Sequence, residues 1–271
     1  MVSIIIPTKN SANTLEYVLS SIMKQSFKDF EIIVVDNYSV DNTREIAKRY
    51  GARVYLVHGE RSAQKNYGAK IAKGKYLYFI DSDFYLHPKV LEECIDIVSK
   101  GFDAVIVLNI SNPRVSIWSR IRYFERLSYY MSNIYEAARF IKKDLFMKVG
   151  GFDEKLYANE DYDLHLRLLK SGAKIAHTVK SFEIHLGEPK NIKEIILKFI
   201  YYGHGLAYFL EKNPLLRYLS PLRYTYLKKE FVAYAVRKWA IAIPLIIYLK
   251  IVQLLSSVIG VLFKLTMSPY S

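Results

Sequence analysis

Residues 1–110 alternate short apolar, β-branched runs with segments of helical periodicity, and this alternation constrains the fold more than any other feature of the chain. Short apolar runs are typical of strands buried on both faces of a parallel sheet, and helices form the crossovers that parallel strands need. The sequence therefore predicts an α/β fold, a doubly wound, mostly parallel sheet. The predicted strands are Val2–Ile6, Glu31–Val35, Arg53–Val57, Tyr76–Ile80 and Ala104–Leu108, and the predicted helices are Thr14–Lys24, Thr43–Tyr50, Ser62–Ala72 and Pro88–Ser99.

Polar residues directly follow three of these strands. Residues 7–10 (Pro-Thr-Lys-Asn) follow the first strand, residues 36–39 (Asp-Asn-Tyr-Ser) the second, and residues 81–83 (Asp-Ser-Asp) the fourth. Ligands of doubly wound sheets bind outside the carboxyl ends of the strands. These three segments are therefore the first candidates for a functional site.

Asp81 and Asp83 flank a single small residue, and alternate side chains of an extended segment point the same way. Both carboxylates can therefore face one point, where a hard divalent cation would offset their repulsion. The alternative is a loop whose acids cap the following helix or lie in solvent. The apolar strand before the pair, and the aspartate that also follows the second strand, favour the cation site.

Taken together, these segments resemble the family 2 glycosyltransferases, which have the GT-A nucleotide-sugar-binding fold. The resemblance covers roughly residues 1–190 and depends on several motifs in a fixed order rather than on any one of them. It implies a GT-A catalytic domain over residues 1–190, and the remaining residues 191–271 form a separate C-terminal module, considered below. The motifs are Val2–Asn10, Ile32–Asp41, Ala63–Gly68, Asp81–Asp83, Val149–Glu154 and Glu160–Arg167.

The resemblance implies a role for most of the strand-end residues in binding a nucleotide sugar. Asp36 would hydrogen-bond the base, and Arg61 and Lys65 would approach the donor diphosphate, where cationic donors suit a dianionic group. Pro7 and Thr8 would line the nucleotide pocket. The full set of implied nucleotide-sugar-binding residues is Pro7, Thr8, Asn10, Asp36, Arg61, Lys65, Asp81 and Ser82.

The resemblance also implies a metal site. Asp81 and Asp83 would bind Mn²⁺ or Mg²⁺ that bridges the diphosphate, and His185 would reach the metal or the diphosphate. The alternative for His185 is a surface residue at a strand end. The other histidines considered have no comparable context, and we interpret them as structural or solvated; they are His58, His87, His165 and His177.

Asp161 is the general base that the resemblance implies, with Glu160 beside it to orient the acceptor. The alternative is an acidic first turn on a helix over residues 161–170, which the helix dipole would stabilise. A base on the face of the sugar opposite the leaving diphosphate would invert the anomeric centre. Processive relatives carry a Gln-x-x-Arg-Trp segment after the base, and residues 198–205 lack it. Its absence favours transfer of a single sugar.

The C-terminal third is both the most basic and one of the most apolar parts of the chain. Residues 190–271 hold +9 of the formal net charge of +13. Residues 192–210 predict an amphipathic helix. Residues 239–249, which contain Pro244, are too few for a bilayer span, and Lys250, Gln253, Ser257, Gly260 and Lys264 then form a polar stripe at helical spacing.

Three interpretations of this C-terminal segment stay open. They are a helix lying in the membrane interface, a shallow hairpin or tilted span over residues 231–265, and a soluble helix packed on the catalytic domain or on a second copy. The N-terminus has no basic segment and too short an apolar run for a signal peptide. We therefore expect a cell-membrane protein with its catalytic domain on the cytoplasmic side.

These observations predict an inverting, metal-dependent glycosyltransferase. It would move one sugar from a nucleotide sugar, with GDP-mannose favoured over UDP-glucose and UDP-GlcNAc by family analogy, to a polyprenyl- or dolichyl-linked acceptor. A rival is a polyprenyl-phosphate sugar synthase, whose acceptor phosphate needs no base. The net charge prompts a second rival, a nucleic-acid-binding protein, but aspartates at the strand ends would repel phosphate without a metal. We therefore expect no nucleic-acid partner.

Overall fold

The computed structural model describes residues 1–132, 137–156, 158–213 and 227–267, without the side chains of residues 130–132 and 264–267. The chain forms two compact units. The first contains Met1–Asn109, Ala137–Glu154 and Glu160–Gly187, and the second contains Ile110–Glu136, Lys155–Asn159 and Glu188–Ser271. The second unit thus includes Ile110–Glu136, which the sequence analysis assigns to the catalytic domain over residues 1–190. The division at residue 190 stays a prediction.

An eight-stranded mixed sheet forms the centre of the first unit. Its strands are β1 (Val2–Thr8), β2 (Phe30–Asp36), β3 (Arg53–Leu56), β4 (Tyr76–Phe79), β5 (Phe84–Leu86), β6 (Ala104–Ser111), β7 (Phe140–Lys142) and β8 (Ile175–His185). They are arranged in the order β3-β2-β1-β4-β7-β6-β8-β5. Strand β1 pairs in parallel with β2 and β4, and β2 pairs in parallel with β3. The pairs β4–β7, β6–β7 and β5–β8 are antiparallel.

The parallel half of the sheet confirms four of the five strands as the sequence predicts them, whereas the fifth is oriented differently. We expected residues 104–108 to be a parallel strand, but β6 runs antiparallel to β7, with Ala104 opposite Ile141. The reason is that an apolar run reports burial on both faces and carries no information about the direction of the neighbouring strand. The neighbour itself, β7, is only three residues long and gives no clear strand pattern.

Helices cover both faces of this sheet. Alternate residues of β1 point to opposite faces, so that Ile4 and Ile6 join one apolar core and Ile5 joins the other. Cys94 is buried in the first of these cores, which confirms it as a core residue. The helices of this unit are α1 (Ala12–Met23), α2 (Thr43–Arg49), α3 (Arg61–Ile71), α4 (Val90–Ser99), α6 (Lys143–Lys148) and α7 (Glu160–Lys170).

The loops that follow β1 and β2 are held together by hydrogen bonds. The backbone N–H of Asn10 donates to Oγ of Ser39 at 2.8 Å, and Oδ1 of Asn10 accepts from the backbone N–H of Val40 at 2.9 Å. Asn10 takes a left-handed backbone conformation with φ 50°, which asparagine tolerates better than most residues. These hydrogen bonds join the two loops into one frame at the carboxyl edge of the parallel strands.

The second unit is helical. Its helices are α5 (Ile117–Ser132), α8 (Ile192–Lys212), α9 (Lys229–Lys238) and α10 (Ala242–Met267). Helix α8 confirms the amphipathic helix expected over residues 192–210. Side chains from all four helices share one apolar core, which includes Phe124, Ile195, Phe231 and Ile246. This core gives the unit its own interior.

Helix α10 is longer than the sequence interpretation allows. We expected Pro244 to interrupt the apolar stretch, but Pro244 lies in the first turn, where a backbone N–H has no partner within the helix in any case. The helix therefore continues without a break. By length and composition, its residues Ala242–Phe263, 22 in number, are sufficient to cross a membrane.

The polar stripe of α10 faces the interior of the second unit rather than its surface. Gln253, Ser256 and Ser257 are buried, and the ammonium of Lys250 pairs with the carboxylate of Glu125 on α5. The stripe therefore does not give the helix a polar outer face, as a helix lying in the interface requires; the side chain of Lys264 lies outside the described residues. The exposed face of α10 is apolar instead, and consists of Ile247, Tyr248, Ile251, Leu254, Leu255, Val258, Ile259, Leu262 and Phe263.

Two glycines face each other where helices α8 and α10 pack together. A Cβ atom at Gly203 would lie 2.9 Å from Cα of Gly260, and a Cβ atom at Gly260 would overlap the carbonyl oxygen of Ile200. Backbone atoms cannot move aside as a flexible side chain can. Both glycines are therefore needed for this packing distance.

We predict that Gly260→Ala lowers the free energy of unfolding by about 1–3 kcal/mol because it overpacks this contact. The intrinsic preference of a helix for alanine acts in the opposite direction by roughly 0.5–1 kcal/mol, so a net loss identifies the close contact as its cause. Denaturant unfolding measures the change. Val258→Ala, at an exposed position of the same helix, is the control and should change stability by less than about 0.5 kcal/mol. Equal stability of the glycine variant and wild type would contradict the prediction.

Candidate active site

The buried ammonium of Lys65 joins two acidic groups that are far apart in the sequence. Lys65 lies one turn into α3 and is only 4% exposed. Its Nζ is 3.2 Å from Oδ1 of Asp81, which follows β4, and 3.4 Å from Oε1 of Glu160, which begins α7. The ammonium also lies 5.3 Å from the ring centroid of Phe152. One cation therefore connects Asp81 of the predicted metal site to Glu160 of the predicted catalytic pair.

This arrangement changes the acidity of both partners. Burial alone would lower the pKa of Lys65, but the charges of Asp81 and Glu160 outweigh it, and the pKa is raised. Burial alone would likewise raise the pKa of Asp81, but the nearby charges of Lys65, Arg61 and Arg139 outweigh it, and the pKa is lowered far below its ordinary value. Both groups therefore stay charged at any physiological pH.

Asp161 has the opposite electrostatic environment. Its carboxyl group is partly buried beside Glu160, and burial followed by the charge of that neighbour raises its pKa above the ordinary value for aspartate. Oδ1 of Asp161 accepts a hydrogen bond from the backbone N–H of Tyr162 at 2.9 Å. A carboxylate that is more basic than usual is suited to accept a proton.

Helix α7 is held in place by a second ion pair. Arg167 pairs with the buried Asp163 one turn earlier, with Nη2 2.8 Å from Oδ2, and its Nη1 donates to the carbonyl oxygen of Val149 at 2.6 Å. That carbonyl directly precedes Gly150 and Gly151, which both have positive φ. This hydrogen bond therefore joins helix α7 to the Gly150-Gly151 turn and fixes the start of the helix.

The structure brings His185 to Asp83, as the sequence interpretation expects for a shared site. Strands β5 and β8 pair with Phe84 opposite His185, and this register places Nε2 of His185 3.2 Å from Oδ2 of Asp83. The backbone N–H of Leu186 donates to the carbonyl oxygen of Asp83 at 2.7 Å. The role of His185 toward a metal or a diphosphate stays a prediction.

The residues predicted to bind the metal form two pairs rather than one cage. Asp81 pairs with Lys65 and Asp83 with His185, and within the described part of the chain no three acidic, histidine or cysteine side chains gather around one point. The residues nevertheless fit Mn²⁺ or Mg²⁺, because Mg²⁺ is commonly held by one or two carboxylates plus substrate phosphates, and carboxylates also suit Mn²⁺. Gly187 leaves space beside this carboxylate, because a Cβ atom there would overlap Oδ2 of Asp83 unless the side chain of Asp83 moved.

The predicted nucleotide-pocket residues organise the strand ends. Pro7, Thr8 and Asp36 are buried. Oγ1 of Thr8 donates to Oδ2 of Asp36 at 2.8 Å, and the backbone N–H of Ser39 donates to Oδ1 of Asp36 at 2.8 Å. In this structure Asp36 therefore stabilises its own loop, and its contact with a base stays a prediction.

The remaining predicted residues lie at the same edge of the sheet. Arg61 is the first residue of α3, and Oγ of Ser82 donates to Oγ of Ser11 at 2.9 Å. Asn10 belongs to the hydrogen-bonded frame described above. These placements bring the strand-end segments together in one region, whereas the function of each residue in binding a donor stays a prediction.

A buried network beneath the acidic groups was missed by sequence reasoning. The guanidinium of Arg139 pairs with the fully buried Glu183, and the hydroxyl of Tyr78 also bonds Glu183. The charge of Arg139 contributes to the low pKa of Asp81. An arginine directly before a short apolar strand was the available signal, but its partner is more than forty residues away and no pattern links the two.

A comparison with protein-family models matches residues 3–153 to Glycosyl transferase family 2. Among curated proteins, an uncharacterized glycosyltransferase of Rickettsia typhi is 32% identical over 187 residues, covering 63% of this chain and 59% of that protein. The poly(ribitol-phosphate) beta-N-acetylglucosaminyltransferase TarP of Staphylococcus aureus is 37% identical over 101 residues, 34% of this chain and 31% of that protein. This chain therefore spans about three-fifths or less of the length of these relatives.

Solved structures share the fold. The mannosyltransferase PcManGT of Pyrobaculum calidifontis, in complex with GDP-Man and Mn²⁺, has a TM-score of 0.63 and 18% identity, over 95% of this chain and 86% of that one. TarS residues 1–349 of Staphylococcus aureus, in complex with UDP-GlcNAc, has a TM-score of 0.54 and 17% identity, over 100% and 93%. The GT-A fold that the sequence resemblance implies is confirmed.

We predict that Glu160→Gln lowers the pKa of Asp161, because the substitution removes the negative charge that disfavours ionisation of its neighbour. A carbon-13 NMR titration of the aspartate carboxyl groups measures this pKa, with Asp161→Asn to assign the signal. The titration midpoint should move to lower pH. Glu45→Gln, at an exposed position on α2, removes the same charge elsewhere and should leave the midpoint in place. An unchanged midpoint in the Glu160 variant would contradict the electrostatic coupling.

Proposed function

Since the chain belongs to glycosyl transferase family 2, we propose that it transfers a single sugar, with inversion, from GDP-mannose to a lipid-linked acceptor at the cytoplasmic face of the cell membrane. The observation that carries this proposal is the Lys65-centred cluster, in which a group for the diphosphate and a group for the acceptor adjoin one buried ammonium. UDP-glucose and UDP-GlcNAc are the alternative donors. The fold likeness to a mannosyltransferase bound to GDP-Man supports the choice of donor only as an analogy.

The leaving group needs positive charge, because negative charge develops on the diphosphate as the glycosidic bond breaks. In this proposal Lys65 and Arg61, both on the first turns of α3, contact the diphosphate. Asp81, Asp83 and His185 hold Mn²⁺ or Mg²⁺, which would supply further electrostatic stabilisation of the same charge. Asp81 and Glu160 already hold the ammonium of Lys65 in a buried position, so it is desolvated and oriented before the donor arrives. A bound phosphate would then share Lys65 with these two carboxylates.

The acceptor needs a base, because a sugar hydroxyl must lose its proton as it attacks the anomeric carbon. Asp161 is the base in this proposal, and its raised pKa makes it a stronger proton acceptor than an ordinary aspartate. Burial and then the charge of Glu160 keep that pKa high, and Glu160 is itself paired with Lys65. The two neighbouring acids therefore have separate tasks.

The lipid-linked acceptor is supported by the exposed apolar face of α10. Residues such as Ile251, Leu255 and Leu262 are each about half exposed along a helix of sufficient length and composition to cross a membrane. Contiguous apolar surface of this kind marks a site for a membrane or a partner. A membrane-bound enzyme meets lipid-linked sugars at the surface where their headgroups lie.

We predict that Asp161→Asn lowers transfer by about 10²- to 10⁴-fold, the usual contribution of a general base. The assay is release of nucleoside diphosphate from a panel of nucleotide sugars with Mn²⁺ and a polyprenyl-linked sugar acceptor. Asp83→Ala should also lose turnover, whereas Asp96→Asn, at an exposed position on α4, is the matched control and should keep it.

The same assay separates the proposal from a polyprenyl-phosphate sugar synthase. Polyprenyl phosphate replaces the sugar-linked acceptor, and a phosphate nucleophile needs no base. Turnover on polyprenyl phosphate that survives Asp161→Asn would replace the proposed function with the synthase. Turnover in the Asp83 variant equal to wild type, or none with any donor in wild type, would refute the metal-dependent transfer.

We predict that the double variant Ile251→Ser, Leu255→Ser loses binding to anionic liposomes in a flotation assay, because it places two hydroxyl groups on the apolar face of α10. The matched control is Leu169→Ser, Val179→Ser, which changes two exposed apolar residues of the first unit and should float as wild type does. Equal flotation of both double variants would refute membrane contact through α10.

A further inference from the structure

Tyr38 and His58 form an aromatic stack that no part of the proposed mechanism uses. Their ring centroids are 3.9 Å apart with an interplanar angle of 17°. Both side chains are exposed, Tyr38 by 46%. Each residue lies two positions beyond the end of a parallel strand, Tyr38 after β2 and His58 after β3. The stack therefore lies at the carboxyl edge of the sheet.

The backbone at Tyr38 is in an unfavourable conformation. Its φ of 52° lies in the left-handed region, where a bulky side chain is uncommon and glycine would be unstrained. Apolar burial does not account for tyrosine here, because the ring is nearly half exposed. Strained residues of this kind concentrate at ligand-binding positions, where the side chain serves the ligand rather than the fold.

The loops that carry the two rings are connected to each other and to the acidic cluster. Nδ2 of Asn37 donates to the carbonyl oxygen of Gly59 at 2.9 Å, which links the residue before Tyr38 to the residue after His58. Two residues after that glycine, Arg61 begins α3, and Lys65 follows about 6 Å further along the helix axis. A flat aromatic surface and a group of phosphate-binding charges thus lie near the two ends of one short segment.

A nucleoside diphosphate has the complementary chemistry, with a flat base at one end and two phosphates at the other. We propose that the Tyr38–His58 stack is the platform on which the base of the donor nucleotide stacks, and that it favours a purine over a pyrimidine. Because the two rings lie face to face, the stack offers a base the outer face of one ring. A bicyclic purine overlaps such a face more fully than a pyrimidine does, and stacking strength follows the area in contact. The inference depends on the proposed function, because it assigns the base-binding part of the same donor site.

Tyr38→Gly is the decisive variant because glycine suits the left-handed backbone, so the loop keeps its conformation while the ring is lost. Isothermal titration calorimetry with Mn²⁺ measures the Kd for GDP, UDP and inorganic pyrophosphate. We expect the Kd for GDP to rise by roughly 5- to 100-fold, as for loss of one base-stacking contact, and the Kd for UDP to rise less. The Kd for pyrophosphate, which has no base, should not change. Tyr38→Phe keeps the ring and should bind GDP as wild type does.

The possible results separate this proposal from the proposed function. Nucleotide binding in wild type that Tyr38→Gly leaves unchanged would overturn the platform and leave the proposed function intact. An equal loss of pyrophosphate binding would show a structural effect of the loop and would also overturn it. Tighter binding of UDP than of GDP by wild type would overturn the purine preference. Absence of binding of either nucleotide by wild type would refute the donor site itself, and with it both proposals.

Discussion

The first unit depends on one buried cation, the ammonium of Lys65. Three carboxyl groups, those of Asp81, Glu160 and Asp161, lie within its electrostatic reach, and in a poorly solvated environment they would repel one another strongly without it. The ammonium keeps Asp81 ionised and holds Glu160 in place, while Asp161 keeps a raised pKa. Lys65, with Arg61 and Arg139, therefore sets the low pKa of Asp81, whereas burial and the charge of Glu160 set the raised pKa of Asp161.

In the second unit, the polar and apolar faces of helix α10 are reversed relative to those of a water-soluble helix. In a water-soluble helix the polar side chains face solvent, but in α10 Lys250, Gln253 and Ser257 face inward and the apolar side chains face outward. The buried charge of Lys250 is compensated by Glu125 on α5, and the glycines at 203 and 260 bring α8 against α10. The inward polar contacts and the glycine pair join α10 to its neighbours in the second unit, and the apolar side chains remain on its exposed face.

Much of the fold follows from local pattern. The strands β1 to β4 and helices α1 to α4 coincide closely with their predicted ranges. Burial on both faces and helical periodicity can be recognised from the order of neighbouring residues alone. The family and its fold are also evident from motifs in their order. The antiparallel half of the sheet could not be predicted in the same way, because β5 and β7 are three residues long and are stabilised by distant partners. Helix α10 continues past Pro244 because it begins at Ala242, so the proline lies in its first turn. Periodicity predicts the first residue of a helix only to within a few positions, so the sequence did not show this.

By itself, the sequence determined which chemical groups lie at the ends of the parallel strands, since strand, loop and acid follow one another along the chain. Only the tertiary structure decided which of these groups meet. Lys65 reaches Glu160 across 95 residues, His185 reaches Asp83 through the register of β5 and β8, and Tyr38 reaches His58 from another loop. The physical reason is that charge pairing and ring stacking act over a few ångströms, and distances of that order between remote residues exist only once the sheet has formed.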